Sequence, residues 1–201
     1  MTDFDCPSHQ EVISPTALAH VVLRTKNLAA MRDFYVTFLG ARISHGNDFV
    51  CFLYYDEEHH RIAIVQIDQT VPKNVTSCGL EHVAFAFPDL STLLLSYRQR
   101  LQRGIKPVWN VNHGPTNSIY YKDPDGNLIE TQVDNFQSAD EVKKYMAGPE
   151  FAENPIGTDF DPEDYIRRLQ AGAAESSFRK RQEIGPRGLV SAESFEGITS
   201  M

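Results

Sequence analysis

The strongest constraint on this chain is a pattern that occurs twice. Residues 17–24 read Ala-Leu-Ala-His-Val-Val-Leu-Arg, and residues 79–86 read Gly-Leu-Glu-His-Val-Ala-Phe-Ala. Each is an apolar, β-forming run with one histidine, His20 or His82, in fourth place. Seven residues after each histidine stands a helix-capping side chain, Asn27 or Asp89. In the first copy Met31, Phe34, Tyr35, Phe38 and Leu39 form a helical stripe that Gly40 ends. In the second, Leu90, Leu93, Leu94, Tyr97 and Leu101 do the same before Gly104. Short strands follow, at 41–45, 49–55 and 61–67 in one copy and at 106–111, 118–122 and 128–133 in the other. Both copies therefore read β-α-β-β-β. Asp123-Pro124-Asp125-Gly126-Asn127 is a strong hairpin turn, because proline presets φ and glycine accepts the left-handed position.

A βαβββ unit standing alone leaves one sheet face bare. The expected architecture is α+β: paired modules over 17–70 and 79–135, forming a curled mixed sheet around a concave metal cleft, with the helices outside. Residues 1–16 precede them as an N-terminal segment. Residues 136–201 follow as a helical extension and flexible arm. In it, 138–146 is helical up to Gly148-Pro149, and Asp161-Pro162-Glu163-Asp164 starts a second helix that runs through Leu169 to Gly172. Beyond that, 173–201 is polar and without period, an arm either disordered or packed on a partner subunit. Phe136, Tyr145 and Phe151 are expected to pack, with cover of the cleft as the other option.

Composition excludes some partners. A formal charge of -8 disfavours nucleic acid and anionic membrane, which are themselves negative. No apolar run is long enough to span a bilayer, and the N-terminus lacks a basic stretch leading into an apolar one, so the chain reads as cytoplasmic. The cysteines, Cys6, Cys51 and Cys78, form no CxxC pair and predict neither a disulfide framework nor a thiolate metal site. Cys51, inside an apolar run, reads as a core residue.

Strand alternation puts His20 on the face of Leu18 and Val22, and His82 on that of Leu80 and Ala84. If a pseudo-twofold axis relates the copies, the two histidines meet in the cleft. Glu130 sits between Ile129 and Thr131 in the last strand, where a carboxylate is either near a sheet edge or in need of a cation. Two imidazoles and one carboxylate form the ligand set of mononuclear Fe(II) sites with open positions; Mn(II) suits the same donors.

His20 in LAHVVLRT, His82 in LEHVAFAF and the run SIYYKDPDGNLIE resemble the vicinal oxygen chelate superfamily. That group includes glyoxalases, bleomycin-resistance proteins and type I extradiol dioxygenases. The resemblance covers about residues 17–135 and implies paired βαβββ modules around a divalent metal. The segment Glu58-His59-His60-Arg61-Ile62-Ala63 resembles the extradiol dioxygenases in particular. By that resemblance His60 is an acid–base group near the oxygen pocket, with His59 a bystander on the opposite face. His113 and Tyr120 match the family's active-site histidine and tyrosine, which orient the substrate hydroxyls. The resemblance thus implies an Fe(II) enzyme that inserts dioxygen beside the diol of a catechol-type ring. The polar link Gln69–Ser77 is longer than the family pattern, and the family's frequent additional N-terminal domain has no room here. A homodimer is expected from an exposed sheet and a long arm.

Three rival readings stand beside it. A glyoxalase-like lyase, isomerase or epimerase would use a fourth ligand near the end of the first module, where Gln66 and Asp68 lie. A drug-sequestering binding module needs no metal triad. A retired paralogue would lack a ligand, and here His20, His82 and Glu130 are all present.

Overall fold

The structure, a computed structural model, describes residues 12–188. The first module runs β1 (Val21–Thr25), α1 (Leu28–Leu39), β2 (Arg42–Gly46), β3 (Val50–Tyr54) and β4 (Ile62–Gln66). The second runs β5 (His82–Ala86), α2 (Leu90–Leu101), β6 (Trp109–Asn112), β7 (Thr116–Lys122) and β8 (Leu128–Asp134). The repeated βαβββ order is as expected, and its local signals are used as the sequence implies. The Asn27 side chain accepts from the Ala30 amide and that of Asp89 from the Thr92 amide. Gly40 caps α1 at φ 63°. In the hairpin turn Asp123 accepts from Asn127 and Gly126 takes φ 81°.

The strands form two sheets rather than one. The first has the order β1-β4-β3-β2 and the second β5-β8-β7-β6-β9, each mixed, with β1 parallel to β4 and β5 parallel to β8. The parallel pair arises because the helix carries the chain from the first strand across the sheet before the last strand returns beside it.

The two modules share one core on the helix side. Met31, Tyr35 and Phe38 of α1 and Leu90, Leu93, Leu94 and Tyr97 of α2 bury against Leu53, Ile62, Ile64, Ile119, Tyr121 and Ile129. Two buried polar ties cross between modules. The Tyr35 hydroxyl donates to Asp123 at 3.0 Å, and Arg100 Nε donates to the Phe38 carbonyl at 2.9 Å. Cys51, 2% exposed, lies in this core as expected, and burial raises its thiol. Leu23 and Phe85 pack on the same core while Val22 stays exposed, so the histidine-bearing faces of β1 and β5 point away from the helices.

The C-terminal extension departs from its expected outline. α3 (Ala139–Met146) ends where expected, but Gly148-Pro149 does more than stop it. Pro149 opens α4 (Pro149–Glu153), since proline at a first helical turn lacks only an amide that has no partner there. A two-residue strand, β9 (Thr158–Asp159), then joins the edge of β6, and α5 (Pro162–Gln170) follows. Instead of trailing away, 173–188 folds back on its own chain. Phe178, in a 3-10 turn at Glu175–Phe178, is 2% exposed, and its carbonyl accepts from Asn112 and Asn117. Buried apolar area and satisfied amides hold this segment despite its lack of sequence period. Residues 189–201 of the expected arm, the segment 1–11 and Cys6 lie outside the described residues. Tyr145 packs between Phe136 and Phe151, with ring centroids 5.3 and 5.9 Å apart, against Gly114. Among the described residues no helix is long and apolar enough to cross a membrane.

Candidate active site

The face of the second sheet that points away from α2 gathers four of the six expected site residues. β8 lies between β5 and β7, so Glu130 is flanked by Ala84 on one side and Tyr120 on the other, and His82 enters from the start of β5. His82 Nε2 is 3.0 Å from Glu130 Oε2. Glu130 is 5% exposed, an interior carboxylate rather than a sheet-edge one. Burial pushes its carboxyl up, but hydrogen bonds from His82 and Ser118 outweigh that and leave it below the usual carboxylate range. The bond to Glu130 in turn raises His82 against the opposing effect of its own burial.

Tyr120 continues the chain of contacts. Its hydroxyl is 3.0 Å from His113 Nε2 and also neighbours Glu130, and burial drives its acidity well out of reach. His113 Nδ1 contacts the Ile156 carbonyl, which can only accept, so Nδ1 carries the proton. Burial pushes the His113 imidazole down, which keeps it neutral. Nε2 is then an acceptor, and it and the Glu130 carboxylate compete for the single Tyr120 hydroxyl proton. Trp109 stacks on Tyr120 with centroids 5.0 Å apart and meets His113 edge-on at 5.5 Å.

The remaining two expected residues lie together on the first sheet. His20 is exposed, one residue ahead of β1, and its ring lies 4.3 Å from that of His60. Phe52 packs edge-on against His60 at 4.9 Å. Burial, followed by His20 and His59, pushes the His60 imidazole down. His59 does not take the opposite face: its Nδ1 lies 2.5 Å from His60 Nδ1. Residues 55–59 form bends, not strand, so side-chain alternation does not apply to the pair.

Two cavities open along the seam between the modules. One of about 500 Å³ is lined by Val22, Arg24, Leu80, His82 and Leu128. The other, of about 260 Å³, is lined by His20, Tyr55, Arg61 and Phe85. His20 and His82 thus both border the seam, but the structure does not bring His20 into the His82–Glu130 pair. Among the described residues no three His, Cys, Asp or Glu side chains are set to hold a metal ion. Gln66 is engaged elsewhere. Its Oε1 accepts from the Leu28 amide at the start of α1, and its Nε2 donates to the Lys26 carbonyl and to Asp68. It stands at the far end of β1 from His20, paired with Thr25.

Several site residues escaped sequence reasoning. Trp109 is cross-strand partner to Tyr120, a register the sequence does not display, although it is the single tryptophan of the chain. Ser118 shares the face of Tyr120 and was discoverable by alternation from it. Ile156 belongs to a loop with no motif. Gly157 gives that loop its shape: at φ 110°, an added Cβ would lie 2.3 Å from the Asn112 carbonyl oxygen and 2.7 Å from His113 Cα. Gly157→Ala is therefore expected to lose about 1–3 kcal/mol of stability from backbone strain, with further loss from the clash. Chemical denaturation would show it; an unchanged midpoint would mean that the loop does not press on β6.

Twin βαβββ modules whose exposed faces carry paired histidines, a buried carboxylate and a hydrogen-bonded tyrosine define a class of small αβ proteins built around an intermodular cleft. Residues 17–131 match the Glyoxalase/Bleomycin resistance protein/Dioxygenase superfamily, and the chain belongs to it. It is 44% identical over 155 residues to biphenyl-2,3-diol 1,2-dioxygenase 2 of Rhodococcus globerulus, covering 77% of this chain and 82% of that protein. It is 42% identical over 169 residues to biphenyl-2,3-diol 1,2-dioxygenase 3 of the same organism, covering 82% and 87%. The crystal structure of a glyoxylase/bleomycin resistance protein/dioxygenase domain from Frankia sp. EAN1pec shares the fold. Its TM-score is 0.52 at 14% identity, over 64% of this chain and 99% of that one.

Proposed function

We propose that this chain is an extradiol ring-cleaving dioxygenase that acts on a catechol-type aromatic diol, with Fe(II) held by His20, His82 and Glu130. The observation that carries the reading is the connected run His82–Glu130–Tyr120–His113, in a chain 44% identical to a biphenyl-2,3-diol dioxygenase. The donors fit the ion in kind, two imidazole nitrogens and a carboxylate, with Mn(II) as the alternative. For His82 and Glu130 they also fit in place: a carboxylate held ionised at 5% exposure is what a cation site requires. His20 occupies the equivalent position of the first module, on the same seam.

When bound, the iron supplies a centre at which diol and dioxygen exchange electrons. The protein's own groups do the rest. His113, fixed as the Nδ1–H tautomer, accepts a hydrogen bond from the Tyr120 hydroxyl, whose oxygen keeps lone pairs to accept from a substrate hydroxyl. Trp109 closes the wall behind Tyr120 and limits water there. His60, whose imidazole is pushed down by burial and by His20 and His59, would take a proton from one reacting group and return it to another. The cavity of about 500 Å³ borders His82 but is lined by none of Glu130, Tyr120, His113, His20 and His60, so the diol is assigned to the face that carries those side chains and not to that cavity. The lyase or isomerase alternative finds less support, because Gln66 is occupied in capping α1.

The His60→Phe change is expected to retain iron and slow ring opening by about 10²–10⁴-fold, the usual weight of a general acid–base group. Wild-type turnover would remove His60 from the mechanism. The reading as a whole is tested by adding Fe(II) anaerobically to metal-free protein, then catechols with air. A yellow ring-fission product that needs both iron and oxygen is expected. Tight metal binding with no oxygen uptake on any diol would return the choice to lyase or isomerase.

A further inference from the structure

We infer that Arg181, which lies outside both modules, is a positioning residue for His113. Its guanidinium is buried, with the side chain 1% exposed, and its hydrogen bonds tie the end of β6 to α4 and its C-cap. Nη1 donates to the His113 carbonyl at 3.2 Å and to the Asn154 carbonyl at 2.6 Å. Nη2 donates to the Glu150 carbonyl at 2.7 Å. Glu183 accepts from Nε and Nη2, both at 3.1 Å, and balances the charge. The planar fork makes this possible, since five N–H groups in fixed directions can bridge carbonyls that a single ammonium cannot span.

The end of β6, the α4 cap and the Arg181 segment meet behind His113. Asn154, fully buried, shapes the loop after α4, accepting from the Ile156 and Gly157 amides and donating to the Gly157 carbonyl. That loop delivers the Ile156 carbonyl to His113 Nδ1. Arg181 holds the loop through Asn154 and the β6 end through the His113 carbonyl, and so fixes the distance between the imidazole and its acceptor. The modules alone do not set the ring's tautomer: the loop after α4 supplies the acceptor, and the returning C-terminal segment holds that loop in place. A buried guanidinium removed from this place takes the donor from the His113 and Asn154 carbonyls, while the Glu150 carbonyl keeps the Asn154 amide, and the loop is then free to shift relative to β6.

The inference rests on the reading of His113 as a group that orients the diol, and its test has a readout independent of turnover. Ring ¹⁵N shifts of His113, assigned against a His113→Asn variant, are measured in the whole metal-free chain for wild type, Arg181→Gln and Arg181→Lys. Wild type is expected in the Nδ1–H form. Both Arg181 variants are expected to show a mixture of tautomers, with Arg181→Gln losing roughly ten- to hundredfold in kcat/KM for ring cleavage through misplacement of the orienting group. Iron stoichiometry is expected to stay unchanged in both. An Nε2–H wild type, or a folded variant with unaltered tautomer, overturns the inference. Failure of both variants to fold also overturns it, making Arg181 a purely structural group. A shifted tautomer in the variants of a chain whose wild type opens no diol leaves the Arg181–His113 coupling standing and defeats the dioxygenase reading instead.

Discussion

Glu130→Ala is expected to lose bound iron and ring cleavage together while leaving the metal-free fold nearly intact. The carboxylate is the anionic member of the proposed triad, and His82 alone would keep one neutral donor on the second sheet. Removing half of a buried ion pair often costs several kcal/mol, but only where the survivor stays buried and charged. His82 has a third of its side chain in water and can shed its proton, so the stability cost is small. Ser118 keeps a hydroxyl partner in Thr116. Metal analysis, oxygen uptake and thermal melting on the same preparation separate these effects. Iron at one per chain with full turnover would show that the triad is misassigned.

Phe38→Ala is expected to destabilise the whole protein by about 3–5 kcal/mol, the range for a large aromatic deleted from a packed core. Phe38, 2% exposed, stacks on Phe34 of α1 and also reaches into the other module. Tyr121 of β7 meets it edge-on with centroids 5.0 Å apart, and the Arg100 guanidinium of α2 lies 4.0 Å over its ring. The cavity would open at the junction, so both modules should melt earlier in one cooperative step. Two separated transitions, with only the first module lowered, would mean that the modules fold independently.

The contrast between these two positions shows what a sequence displays. The caps at Asn27 and Asp89, the stop at Gly40 and the Asp123–Asn127 turn are local, and each works as its residue type implies. The repeat also placed His82 and Glu130 on one face, because strand alternation holds over β5 and β8. What stayed hidden depends on contacts between distant segments. Trp109 reaches Tyr120 through a β6–β7 register that no local signal sets. His59 meets His60 because bends suspend alternation. The return of 173–188 is held by Phe178 and Arg181 in a stretch whose polarity hides both. His20 is legible as the counterpart of His82, yet its ring stacks on His60 and stays apart from the His82–Glu130 pair.

The central claim is that this chain inserts dioxygen into an aromatic diol. It is tested most directly by turning over biphenyl-2,3-diol under ¹⁸O₂ with the iron-loaded protein and weighing the product at once by mass spectrometry. A ring-opened acid carrying both oxygen atoms of one O₂ molecule, before exchange of its carbonyl with water, is the expected result. A product with no label, or an unopened ring isomerised in the absence of oxygen, would contradict it.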